Sequence, residues 1–289
     1  MPQRFRSEPQ GRIEKIKCYL RSLPGLLAYN RYQDLEAYLM FIGYPRSGHS
    51  LLGSLLDAHP DMVIAHELDA LYYFKARYHA YQIYHLILEK AYQFTAEGRQ
   101  WMGYDYNVPG QWHGRYRKLK VIGDKSGGRS SRRMKRPKGP NHLQKVIRYT
   151  GKKVKIIHMV RNPFDNISTM TTRSAERVGW ALDRENLDQQ IRAYFRLAET
   201  NKKIIDLGIH DIYTIHQEAF IADPTTELRK ILEWLELDAS DDYLAACDKV
   251  VWNNPKKRRF SFPLWNEATK TIVQEHMRNI SFLSNYTYD

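Results

Sequence analysis

The chain of 289 residues holds only two cysteines, Cys18 and Cys247, far apart and in no Cys-x-x-Cys arrangement. That excludes a cysteine-based zinc site and a disulfide framework, and leaves two buried free thiols as the expectation. Long apolar runs are missing as well. Tyr38-Leu-Met-Phe-Ile42 and Val154-Lys-Ile-Ile157 are among the longest, and a bilayer span needs about 20 residues. The opening Met1-Pro-Gln-Arg-Phe-Arg-Ser lacks the apolar core of a secretory signal. These absences lead us to expect a cytoplasmic protein with no membrane span. No internal repeat or low-complexity tract is present, which excludes solenoids and fibrous arrays. Acidic residues are scarce, 32 against 45 lysines and arginines, for a net charge of +13. That balance calls for an anionic partner: nucleic acid, a membrane surface or a polyanionic small molecule.

What is present is enough for one large core, since 43% of the residues are hydrophobic. Short apolar segments at Tyr38–Gly43, Met62–Ala65, Lys120–Gly123, Val154–Val160 and Ile212–Ile215 read as buried strands. They alternate with helical patterns at Ser50–Ala58, Asp69–Phe94, Asn141–Tyr149, Pro163–Arg173, Asp183–Ile205, Pro224–Leu235 and Asn266–Met277. The alternation predicts a single α/β domain with a central, mainly parallel sheet flanked by helices. Residues 1–37 read as a helical extension broken at Pro24 that packs on the domain of residues 38–289. The aromatic-rich Asp69–Phe94 segment reads chiefly as core. Residues 98–118, including Trp101 and Trp112, form an aromatic, Gly/Pro-bearing loop or hairpin and a possible substrate lid.

Another absence lies inside the most informative motif. Phe41-Ile-Gly-Tyr-Pro-Arg-Ser-Gly-His-Ser50 has the two glycines and the Ser/Thr position of a phosphate-binding loop, but His49 stands where a nucleotide kinase keeps its lysine. The cation lies within the loop, at Arg46. Backbone N–H groups and a helix N-terminus can still cradle a phosphate. A second phosphate signal comes at Val160-Arg-Asn-Pro163, where Arg161 emerges from a strand end and Pro163 suits the first turn of a helix. Its plain alternative is an arginine paired with Asp165. Basic clusters at Arg129–Lys138, Lys152-Lys153 and Lys256-Lys257-Arg258-Arg259 add to the anionic preference.

Together these residues resemble the sulfotransferases that use 3′-phosphoadenosine 5′-phosphosulfate (PAPS), most closely the tyrosylprotein type and its bacterial small-molecule relatives. Tyr44-Pro-Arg-Ser-Gly-His-Ser-Leu-Leu52 is similar to the family's 5′-phosphosulfate loop, with His49 and Ser50 in place of two threonines. The resemblance implies donor contacts from Arg46, Ser47, Gly48, His49, Ser50 and Leu51. It also implies a 3′-phosphate grip by Arg161 with Ser168 or Thr169, and a late cationic loop of Lys256, Lys257 and Arg258. It places the catalytic base at Glu67, with His66 as the alternative, and a transfer-assisting lysine at Lys125 in Val121-Ile-Gly-Asp-Lys125. Gln217 stands where the family has a tyrosine.

Sulfonyl transfer spreads charge over the sulfonyl oxygens and the leaving phosphate oxygen, so cations and N–H donors are the groups it needs. Arg46 and Lys125 suit that role, while the acceptor's proton needs a carboxylate or imidazole. The expectation is an enzyme that moves a sulfonyl group from PAPS to a hydroxyl or amine of a small organic acceptor, leaving adenosine 3′,5′-bisphosphate (PAP). No metal and no nucleic acid are expected. Acceptor contacts are assigned to Glu67, Tyr72, Trp101 and Trp112. Each of these side chains has a plainer reading: Glu67 as a helix cap, Lys125 as a surface partner of Asp124, His49 as a space-filler, and Asp57 and His59 as helix-end residues. The rival functions are a P-loop nucleotide kinase and a basic nucleic-acid-binding protein.

Overall fold

Five mostly apolar segments form strands: β1 (Ala37–Gly43), β2 (Met62–His66), β3 (Val121–Lys125), β4 (Lys153–Val160) and β5 (Asp211–His216). All pair in parallel, in the order β2-β3-β1-β4-β5. β1, β2 and β3 are buried along their whole length, which is why they read as continuous apolar runs. The computed structural model describes residues 9, 11–134, 139–252 and 257–289.

The helices that concern the site are α1 (Gly11–Ser22), α2 (His49–Asp57), α3 (Ala80–Ala96), α4 (Gly128–Met134), α5 (Pro163–Val178), α6 (Arg184–Asp206) and α7 (Glu267–Arg278). Alternate residues of β1 feed opposite cores, as the two-residue strand period requires. Tyr38, Met40 and Ile42 join Ile83, Tyr84 and Ile87 of α3. Leu39 and Phe41 meet Leu52, Leu55 and Leu56 of α2. A third core, including Tyr44, Phe164, Tyr194 and Val273, binds α5, α6 and α7 together.

Helix α1 is tied to α3 by Arg21–Glu89 at 3.1 Å and by the Gln82 amide, which donates to the Ser22 hydroxyl at 2.9 Å. After Pro24 the chain passes so close to α3 that a Cβ on Gly25 would sit 2.3 Å from the Tyr81 carbonyl oxygen. The expected single helix over Asp69–Phe94 is two helices, Ala70–Lys75 and α3. Arg77 is left-handed at φ 64°, and His79 starts α3 with a capping box in which its ring accepts from the Tyr81 N–H and Gln82 accepts from the His79 N–H. Periodicity runs through this break because both pieces turn apolar faces to the same core.

Helix α4 was not expected, and it falls in the first basic cluster. Lys135, Arg136 and Lys138 of that cluster lie outside the described residues. Among the described residues no helix is long and apolar enough to cross a membrane.

Candidate active site

Each strand delivers a chemically loaded residue at its C-terminal end, the edge where open parallel sheets bind ligands. β1 leads into the Tyr44–Gly48 loop, β2 into Glu67, β4 into Arg161 and β5 into Gln217, while β3 ends on Lys125. All of these border one cavity of about 430 Å³. Its lining carries Arg46, Arg129, Arg132, Arg161, Arg173, Arg258 and Lys125 against two carboxylates, Glu67 and Asp105.

The loop after β1 depends on unusual backbone. Gly43 and Gly48 have φ of 144° and 98°, and Arg46 holds a left-handed φ of 70°. At φ 98° a side chain on Gly48 would be strained whatever the space around it, and its Cβ would crowd the ends of Met159 at 2.9 Å and Gln217 at 3.0 Å. His49 begins α2 and turns its ring back into the protein. Nε2 lies 3.0 Å from the Ile42 carbonyl, which can only accept, so Nε2 carries the proton. Nδ1 therefore accepts from the Ser47 hydroxyl at 2.8 Å, a proton that Ser47 shares with the Tyr44 carbonyl at 2.9 Å. Burial lowers the pKa of His49 to about 4, with Lys125 adding to the effect, so the ring is neutral. It fills the space between Gly43 and Gly127, where added Cβ atoms would come within 2.7 and 3.0 Å of it. His49 thus braces the loop from behind while still bordering the cavity. Ser47 is fully buried and Ser50 and Leu51 reach the cavity wall.

Lys125 is the hub of a polar cluster. Its buried ammonium donates to the Glu67 carboxylate at 3.0 Å and the Ser50 hydroxyl at 3.1 Å, with His66 Nε2 at 3.5 Å. The β2–β3 register sets His66 beside Lys125 and so places Glu67 one step beyond it. Burial pushes the Glu67 carboxyl up, but Lys125, Arg129 and Arg46 outweigh it and hold the pKa below the usual glutamate value. Glu67 caps no helix; its backbone is left-handed, with φ 60°. The turn is held by Asp124, which accepts from the N–H groups of Leu68 at 2.9 Å and Ala70 at 2.8 Å, and by Ser126, which accepts from the Asp69 N–H at 3.1 Å. Asp124 is therefore a buried positioning group and not a surface partner of Lys125. His66 stacks on Phe94 at 4.2 Å and is not among the cavity-lining residues. Burial and the nearby Lys125 keep its pKa well below the usual value.

On the other flank, Arg161 donates to the Arg46 carbonyl at 3.2 Å and to Thr169 Oγ1 at 3.4 Å. Thr169 lines the cavity, whereas Ser168 turns away to the Phe164 carbonyl and the Trp265 indole. Asp165 takes Arg259 at 2.6 Å, and Arg161, which also feels the Asp165 charge, borders the cavity. Of the late basic loop, Arg258 lines the cavity, Lys257 is exposed and Lys256 lies outside the described residues.

The aromatic loop opens with a hairpin, Gln100–Trp101 paired with Tyr104–Asp105 through a turn at Met102 (φ 61°) and Gly103 (φ 81°). Trp101, Met102, Tyr104 and Tyr106 line the cavity together with Trp252. Trp112 does not; a bond from its N–H to the Ala58 carbonyl at 3.2 Å carries the chain away. Tyr72 does not either, because its ring lies against Tyr73 and under Arg133. The hairpin is stapled to α2 by the buried Arg99, which donates to Asp57 at 2.8 Å and to Ser54 at 2.6 Å. Asp57 also accepts from the Ile64 and Gly114 N–H groups, and His59 donates to the Asp238 carbonyl. Neither is a plain helix-end residue.

Sequence reasoning passed over Arg129, Arg132, Arg173 and Asp124 as site residues. Arg129 and Arg132 follow the strand end that carries Lys125, and Arg173 falls one turn beyond Thr169 on α5; those spacings were the available signals. Among the described residues no group of three or more His, Cys, Asp or Glu is set to hold a metal ion.

Comparison with curated proteins gives no match. Among solved structures, the "Sulfotransferase Domain from the Curacin Biosynthetic Pathway" superposes with a TM-score of 0.55 at 13% identity, covering 86% of this chain and 98% of that one. Sulfotransferase STF9 from Mycobacterium avium gives a TM-score of 0.47 at 12% identity, covering 90% and 81%. Mouse sulfotransferase SULT7A1 complexed with PAP gives 0.47 at 13% identity, covering 88% and 86%. The first of these likenesses shows a shared fold. The model of the "Sulfotransferase family" matches residues 39–241, well over half of the sequence. The chain therefore belongs to the sulfotransferase family and is an enzyme of the PAPS-dependent kind.

Proposed function

We propose that this protein, in the cytoplasm, transfers a sulfonyl group from PAPS to a hydroxyl of a small organic acceptor, with Glu67 as general base. The carrying observation is the Lys125 ammonium, set between Ser50 of the phosphate-loop helix at 3.1 Å and Glu67 at 3.0 Å. One cation thus touches both the donor loop and the base. The lining suits a donor with an anionic group at each end: it carries a glycine-built loop with Arg46, and it carries Arg161, Thr169 and Arg258. The 5′ end belongs to the first set and the 3′-phosphate to the second. PAPS supplies a sulfonyl group whose sulfur–oxygen bond to the 5′-phosphate breaks as a new bond forms to the acceptor oxygen. Arg46, Lys125 and the amides of the first turn of α2 meet the growing negative charge. Glu67, held ionised, takes the acceptor's proton, and the hairpin aromatics keep water from the reacting atoms.

Binding of PAP and ATP–Mg is measured by thermal shift, and transfer with labelled PAPS. We expect stabilisation by PAP well above that by ATP–Mg; a response to ATP–Mg alone sinks the reading. The kinase alternative lacks its lysine, since His49 turns inward to Ile42.

A further inference from the structure

The cavity carries a second pair of cations, apart from those assigned to the donor. Arg129 and Arg132 stand one turn apart on α4 and both line the cavity. They follow β3, so they belong with Lys125 and Glu67. Arg161 stands two strands away from Lys125, at the end of β4 and in the field of Arg258.

Internal pairing does not account for Arg129. Its carboxylate neighbour is Asp69 at 3.9 Å, and Arg133 already engages both oxygens of Asp69 at 2.6 Å. The Nη1 of Arg129 is buried and has no hydrogen-bond partner among the described residues. A buried guanidinium N–H left unmet is costly, and the cost is greater beside a second positive charge. Arg132 supplies that charge, lying in the fields of Arg129, Asp69 and Glu67. Glu67 cannot neutralise the pair alone, because Lys125 already holds it at 3.0 Å. An anion between the two arginines relieves the repulsion and supplies the missing acceptor. Trp101 and Tyr106 line the same cavity and bring aromatic surface to it.

We propose that the acceptor is a hydroxylated aromatic acid, whose carboxylate is held by Arg129 and Arg132 while its hydroxyl meets Glu67. The inference rests on the sulfotransferase reading of the same site. Arginine suits the task because its planar fork matches a carboxylate.

The test uses the full chain, labelled PAPS and matched pairs of hydroxyaryl carboxylic acids and their methyl esters, with PAP affinity measured in parallel. We expect kcat/KM for the acids to exceed that for the esters by about tenfold or more, chiefly through KM. Arg129→Gln and Arg132→Gln should bring that ratio towards one, and Arg129→Lys should restore part of it. Equal use of acid and ester by the unaltered protein overturns the proposal, as does equal loss on both substrates in the variants. Should Arg129→Gln not fold, the unaltered protein's ratio and Arg132→Gln decide the matter. PAP binding with transfer to neither member overturns the acceptor assignment and leaves the donor reading intact. Absence of PAP binding overturns both.

Discussion

At the scale of single residues, the site is governed by groups that hold one another in a defined charge state. Glu67 is the clearest case, because burial and cations act on it in opposite directions. In the unaltered protein its carboxyl should titrate below the usual glutamate value of 4.5, and in Lys125→Met it should rise, since burial remains and the largest opposing charge is gone. Carboxyl NMR across pH 3 to 8 reads both values directly, and an unmoved titration in Lys125→Met contradicts the assignment. Activity limited by ionised Glu67 should accordingly stay level as pH falls towards 4.5 and decline only below it. In the proposed reading Arg161 acts in binding more than in the transfer step. Arg161→Ala should weaken PAP by about 2–5 kcal/mol if the guanidinium holds a buried phosphate. Calorimetry of PAP binding measures this, and a loss under about 1 kcal/mol would place the 3′-phosphate elsewhere.

Among the elements, the hairpin and α2 behave as one body because of Arg99 and Asp57, both almost completely buried. Removing one member of a buried ion pair strands the other, so Arg99→Met alone should cost about 3–5 kcal/mol. Asp57→Asn/Arg99→Met together should cost clearly less than the sum of the single changes. Urea denaturation of the four proteins tests this; strict additivity would show that the two side chains do not act as a pair. The staple also shows where sequence reading stopped. Strand positions and the loop after β1 were legible because apolar runs and glycine spacing are local signals. Arg161 stood out as an arginine at a strand end, whereas Glu67 and Lys125 came only through the family resemblance; the cavity brings all three together. Asp57, Asp124 and the inward turn of His49 were not, since their partners lie 42 residues away at Arg99, 56 residues away at Leu68 and seven away at the Ile42 carbonyl. Tyr72 and Trp112 misled for the related reason that an aromatic residue near a site says nothing of which way it faces.

For the whole molecule, the buried histidines make stability depend on acid. Burial lowers the pKa of His49 to about 4 and of His158 to about 3. In the unfolded chain both take up protons near 6.5. Between those values the unfolded state binds more protons, so stability is fully present above pH 6.5 and is lost as pH falls towards 4. His49 alone contributes on the order of 3 kcal/mol to that loss. Asp124 acts the other way: burial pushes it up to about 6, so the folded chain gains its proton first and offsets part of the effect. The net expectation is a fall in unfolding free energy of several kcal/mol between pH 7 and pH 4.5. Urea denaturation at fixed salt measures it, and a flat profile contradicts the neutral assignment of both rings.

The order of the strands also fixes how the chemistry is laid out. Along the chain the groups run Arg46, Glu67, Lys125, Arg161, Gln217, but across the sheet they run Glu67, Lys125, Arg46, Arg161, Gln217. The fold permutes the list so that Glu67 and Lys125 become neighbours, with the loop after β1 beside them. Neighbouring strands lie about 4.8 Å apart, so four steps from β2 to β5 make a ruler of roughly 19 Å. The backbone therefore sets the spacing between the reacting end and the anchoring end of a bound molecule. Side-chain evolution can change which groups stand on the marks more readily than it can move the marks.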